Sequence, residues 1–358
     1  MKSNERNSSI ELLRIVAMTM IVVSHSCVHG LSGISSNLII NNIFKDILTL
    51  GNLGVAIFVI ITGYVSIGQN IKIKKIIKLE FQVLFYSIVF YVVSSIINHS
   101  GFFSFELLKS IFPIIFKKYW FMSAYMILYL FIPFINTFIT NIESKKFYKF
   151  ILLNVVLIFV IPTVTTSDLY FNELFQIFTF YLIGAYLKKI DIKSSVDEKK
   201  LNFLLMGSIM LLICSACFIE ILALKFTFLT RYSTYFFNRN SILILILAIC
   251  IFLKFLSINE FRNKFINTVA STTLGIYLIH DNPNFRIILW NKIFTLSNYI
   301  NKSYFIIVLF ITSLIIFIIC CLIELLRKKI SDRFIDKIVL KIENKISKIM
   351  KRSNIIQK

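Results

Sequence analysis

Charge is what this sequence has least of. Asp, Glu, Lys and Arg make up 16% of the chain, where soluble domains carry about 25%. That excludes a soluble enzyme as the default, and a disordered chain, which needs high charge and few apolar groups. Acidic residues are scarcer still: 18 Asp and Glu stand against 39 Lys and Arg, a net charge of +21. Proline occurs 4 times and glycine 10 times in 358 residues, which gives no sign of the paired, broken spans of many transporters. The cysteines, at 27, 214, 217, 250, 320 and 321, lie in or beside apolar runs. They read as small buried hydrophobes, not as a disulfide framework. Cys214 and Cys217 form a C-x-x-C inside an apolar stretch with no partner pair, so neither zinc nor redox chemistry is expected there.

What the sequence has is apolar length. Hydrophobic residues are 57% of the chain and the mean hydropathy is +0.81. A core this apolar, spread over so many segments, needs lipid as its solvent. Spans of about 20 residues are expected at 10–30, 51–68, 80–98, 119–139, 148–165, 173–188, 201–222, 240–257, 268–290 and 303–326. The fold class is therefore an all-α polytopic membrane protein of about ten helices. Two shorter apolar stretches, 36–50 and 102–116, lie in the interface or re-enter. The first run has no cleavage pattern after it and reads as a retained span.

The basic residues separate the two sides. With the N-terminus in the cytoplasm, inner segments hold 28 Lys and Arg, including Lys2 and Arg6, and outer loops hold 10. This asymmetry predicts both termini in the cytoplasm of a plasma-membrane protein, with the excess charge on an anionic inner leaflet and not on nucleic acid. Residues 1–326 form the membrane domain. The tail, 327–358, carries eleven basic and three acidic residues. Ile330, Phe334, Ile338, Ile342 and Ile346 recur along it at helical spacing. Two readings of the tail are open: a basic amphipathic helix on the inner leaflet, or a solvated positive tail.

Ionisable residues inside spans are costly and mark function. The first span holds two, Arg14 and His25. Eleven helical steps make about three turns, so both face one side, about 16 Å apart along the axis. Structural readings exist for each: Arg14 snorkelling to headgroups, His25 hydrogen-bonded to a neighbouring span. Ser8 and Glu11 fit a capping box that starts this helix. Ser24 and Ser26 flank His25 but point off its face, so no serine nucleophile is assigned. His280 and Asp281 form a secondary candidate pair; the alternative is a helix end closed by Asn282 and Pro283. His29 and His99 read as interfacial or surface bystanders. No metal site is expected.

Arg14, ten residues, then His25 resembles the R-x10-H signature of the membrane acyltransferase-3 family. Gly51-Asn52-Leu53-Gly54-Val55-Ala56-Ile57-Phe58 with Thr62-Gly63-Tyr64 is similar to its G-V-x-x-F-F-x-x-S-G-Y segment. Tyr119-Trp120-Phe121 through Tyr125, Tyr129, Pro133 and Asn136 is similar to its aromatic span, and Gly275-Ile276-Tyr277-Leu278-Ile279-His280 to its late G-I-Y-L-x-H element. There are departures. Ala56 stands where many members have an acid, and Thr62 where most have serine. The loop after the second span has lysines where several relatives have R-x-x-R.

The resemblance implies O-acylation of a glycan hydroxyl from an acyl-CoA, acetyl-CoA above all, used as a substrate with no bound cofactor. It implies the form of the family without an appended SGNH-type domain, which completes the transfer itself or passes the acyl group to a partner. Expected acceptors are capsule, exopolysaccharide or wall-polymer units, free or lipid-linked, with polysaccharide-assembly proteins as further partners. Arg14 and the lysines Lys72, Lys74, Lys75 and Lys78 are donor-phosphate candidates. His25 is the expected general base. Trp120 and Tyr64 are acceptor-binding candidates. A flippase of lipid-linked sugars and a non-catalytic assembly scaffold are the competing functions.

Overall fold

The computed structural model describes residues 7–69, 73–99, 101, 103–167, 169 and 171–356, with side chains to residue 343. Lys2, Arg6 and Lys72 lie outside the described residues, as does the side chain of Ile346. Among the described residues the chain is helical, with no strand. In lipid a helix satisfies its own backbone, which is why apolar stretches of this length take this form. The helices are α1 (Ser8–Gly30), α2 (Ile39–Ile47), α3 (Gly51–Ser66), α4 (Ile73–Ile97), α5 (Phe105–Ile111), α6 (Trp120–Asn141), α7 (Ser144–Val155) and α8 (Ile161–Thr165). Then follow α9 (Glu173–Lys189), α10 (Glu198–Ala223), α11 (Ile242–Leu256), α12 (Lys264–Ala270), α13 (Thr273–His280), α14 (Arg286–Ile288) and α15 (Phe305–Ile356). Eight helical segments among the described residues are long and apolar enough to cross a membrane.

Two of the ten expected spans differ from that description. The sixth, α9, has only 17 residues and is enclosed by protein instead of lipid. The ninth, 268–290, is broken into α12, α13 and α14. Pro283 has no N–H and disfavours helix at the residue before it, so α13 stops at His280. A side chain meets the Leu278 carbonyl freed by the break, and Asn282 ties the break to its neighbours. Asn282 donates to the Tyr119 hydroxyl at 2.5 Å and to the Tyr86 carbonyl at 3.3 Å, and Tyr119 donates to the Leu278 carbonyl at 3.1 Å. The scarcity of Pro and Gly did not reveal this break, because one proline suffices.

The cap of α1 lies one residue before the expected one, at Asn7. Asn7 accepts from the Ser9 amide at 3.0 Å, while Ser8 is in the helix and ties it to α12, accepting from Asn263 N and donating to Asn267. The expected re-entrant stretches contain α2, joined by a short turn to α3, and α5.

The tail is helical and continues the last span without a break. α15 runs unbroken for 52 residues, about 78 Å, far beyond a bilayer core of about 30 Å. Ile330 and Phe334 are exposed, whereas Ile335 and Val339 are buried. Arg327, expected to open the tail, is buried beside Glu324, which is fully buried. The pair is bidentate at 2.8 Å, and Tyr86 and Gln82 of α4 donate to the same carboxylate at 2.6 and 3.1 Å. A buried charge pair is tolerated only when its remaining hydrogen bonds are made, and here they are. Gly275 lies against this carboxylate, so the pair seats α13 between α4 and α15.

Candidate functional site

One face of α1 builds a wall. Arg14, Met18, Ile21, His25 and His29 recur at helical spacing and line a cavity of about 700 Å³. The expected common face for Arg14 and His25 is present. Val55, Phe58 and Thr62 of α3, Trp120, Phe121 and Tyr125 of α6, and Leu274, Tyr277 and Asp281 of the broken ninth segment complete it. The wall changes character along its length. Met18 and Ile21, between Arg14 and His25 on α1, are apolar, as are Val55 and Phe58 of α3. Beyond His25 the lining includes Lys45, Asp46, Thr49, Asn52, Asn238 and Arg286.

His25 sits where the two halves meet. Its Nδ1 is 2.9 Å from Nε2 of His280, and Nδ1 of His280 is 2.6 Å from the Ile276 carbonyl. A carbonyl only accepts, so His280 carries its proton on Nδ1. Its Nε2 then holds a lone pair and accepts from His25 Nδ1–H. That assigns the His25 tautomer and leaves its Nε2 as the free base. Asp281 Oδ1 lies 3.9 Å from His25 Nδ1 and 3.1 Å from His29 Nε2, with Arg286 at 3.5 Å. His280 and Asp281 are buried and stand beside His25, and the helix also ends here, at His280, as the alternative reading has it.

His29 was expected to be a bystander, and here it donates to Asp281. Its signal in the sequence was its i+4 spacing from His25, one turn along the same face. His25, His29 and Asp281 each place a ligand atom within 4.8 Å of the others. Two imidazoles and a carboxylate are a donor set that a divalent cation accepts, although the Arg286 guanidinium competes for the same carboxylate.

The other expected site residues divide. Arg14 faces the cavity with its Nε buried and without a hydrogen bond, 3.7 Å from Glu11. Trp120 lines the cavity and carries the Arg239 guanidinium on its ring at 5.1 Å. Tyr64 does not reach it. Two residues past Thr62, its side chain is turned by about 200° around the helix; it packs on Phe252, with the Lys188 ammonium 5.1 Å from its ring. Lys74 and Lys78 pair with Asp336 of α15 at 3.4 and 2.5 Å, Lys75 is exposed, and none of these three lines the cavity.

A family model described as an acyltransferase domain matches residues 7–325. The chain belongs to the acyltransferase-3 family. No curated protein and no solved structure matches it. The match covers every element of the cavity wall, from α1 to the broken ninth segment. As a membrane O-acyltransferase, the protein must bring an acyl donor and an acceptor hydroxyl together. The cavity, with its apolar half, its polar half and a free imidazole nitrogen between them, has the parts for that.

Proposed function

We propose that this acyltransferase moves an acetyl group from acetyl-CoA to a hydroxyl of a cell-surface or lipid-linked polysaccharide. The observation that carries the reading is the His25–His280–Ile276 chain, which leaves a lone pair on His25 in the wall of a cavity that also holds Arg14. In this reading His25 Nε2 takes the proton from the acceptor hydroxyl, and the oxygen attacks the thioester carbonyl. The carbon–sulfur bond then breaks, and the CoA sulfur takes the proton back from the imidazolium. Asp281 lowers the energy of that imidazolium, and His280 is a positioning residue that holds its tautomer.

The donor enters from the Arg14 end, which the positive-inside count puts at the cytoplasm, where CoA is made. Arg14 meets donor phosphate through the part of its guanidinium that lines the cavity. The apolar half takes the pantetheine and acetyl groups, and the polar half takes sugar hydroxyls.

The test is proton NMR of the O-acetyl signal in polysaccharide from cells carrying the wild type, His25→Ala or no protein, with membrane levels checked alongside. The signal is expected only with the wild type. An unchanged signal in all three cells would sink the reading and leave transport or scaffolding in its place.

A further inference from the structure

A second cavity, of about 410 Å³, lies beside the first. The end of α8, the first turn of α9 with the two residues before it, and residues 235 and 238–241 line it. Its volume falls in the range of about 300–1,000 Å³ usual for small-molecule sites. Asn238 lines both cavities, and Arg239, which lines the second, stacks on Trp120, which lines the first. The partition between them is therefore about one side chain thick.

The chemistry of the second cavity is polar and neutral. Glu173 and Arg239 pair at 3.1 Å, so its two charges are already matched and it offers no net charge to a phosphate or carboxylate. Tyr235 is occupied in donating to the carbonyls of Pro162 and Thr163 at 2.9 and 3.0 Å. Gln176 differs from these neighbours. It lines the cavity and is only 7% exposed. Its backbone amide bonds to Asn172 within the helix, but its side-chain amide has no hydrogen bond among the described residues. A carboxamide offers two donors and one acceptor, and those of Gln176 are open to the cavity. The rings of Phe171 and Tyr235 border the same space. The Gln176 amide beside aromatic rings, without net charge, suits an uncharged polyhydroxylated ligand, whose hydroxyls pair with the amide while its C–H faces lie on the rings.

We propose that this cavity is a saccharide subsite. It holds a sugar unit of the acceptor next to the one whose hydroxyl is at His25, and Gln176 is its main polar contact. The inference rests on the acyl transfer proposed above and adds that the acceptor is a chain and not a single sugar.

The test uses the purified full-length protein with radiolabelled acetyl-CoA. The acceptors are de-O-acetylated fragments of the cells' own polysaccharide, one and three repeat units long. The wild type is expected to prefer the longer fragment in kcat/KM. Gln176→Leu is expected to lower that preference about fivefold, the effect of one lost hydrogen bond, through KM for the longer fragment and not kcat. Gln176→Asn, which shortens the reach of the amide and keeps its polarity, is expected to act in the same direction and decides the matter if Gln176→Leu does not fold. An equal length preference in the wild type and the folded variants would overturn the subsite and leave acyl transfer standing. Transfer to neither fragment by the wild type would overturn both.

Discussion

The seam between α3 and α9 and the wall between α1 and α13 are built on opposite rules. In the seam, backbones touch. A Cβ at Gly63 would fall on the carbonyl of Tyr181, and one at Gly184 on the carbonyl of Ile60. Small residues allow such close approach, and in lipid that packing is what holds helices together. In the wall, the helices stand apart around a cavity, and polar side chains meet across it: His25 with His280, His29 with Asp281. The seam is rigid because nothing can be added to it. The wall does chemistry because it leaves space, and its polar groups are held by partners behind them. The same chain therefore separates stability from function by region.

The largest effects are expected in the seam. Gly63→Ala and Gly184→Ala each press a methyl onto backbone that has no rotamer to relieve it, a cost of about 3 kcal/mol or more. The expected outcome is loss of folded protein from the membrane, read by detergent-extracted yield and gel filtration. Normal yields of a monodisperse protein would break the comparison.

His25→Ala should do the reverse, with full membrane levels but transfer lowered by about 10²–10⁴-fold, the range for a general base. A parallel loss of protein would show that the wall is structural after all.

Asp281→Asn keeps the shape and removes the charge 3.9 Å from His25. A fall of about 100-fold in kcat with little change in KM is expected, since the carboxylate acts only when the imidazolium forms. An unchanged kcat would mean that the charge serves Arg286 or His29 alone.

Arg14→Ala should raise KM for acetyl-CoA by about tenfold or more. Arg14→Lys should recover only part of that, because lysine lacks the planar fork. The smallest effect is expected at Lys74 and Lys78. They pair with Asp336 at the surface, away from the cavity, so their alanine variants should move donor KM by less than about twofold. A tenfold rise there would return the donor site to this loop.

Much of the site was legible before any coordinates, for identifiable reasons. Arg14 and His25 were placed on one face because both lie in one continuous helix, where spacing alone sets direction. His280 and Asp281 were visible as candidates, but their role was not. They belong to a segment 255 residues further along the chain from His25, and only packing puts a histidine 2.9 Å from another. Tyr64 was misplaced for the same local reason that placed Arg14 well: helical phase decides facing, and Tyr64 has the wrong phase relative to Thr62. Charge count marks the lysines of 74–78 as donor candidates, but it does not show an acid on a distant helix, and Asp336 is that acid.

The sequence by itself determined that this chain lives in lipid, that it is helical, and that one face of its first helix carries an arginine and a histidine about three turns apart. These follow from hydropathy and helical period, which are local properties. Only the tertiary structure decided which nitrogen of His25 is free, that His29 belongs to the site, and that Glu324 and Arg327 are buried together. Each depends on a partner from another helix, and a partner's distance is not written in the spacing of either one.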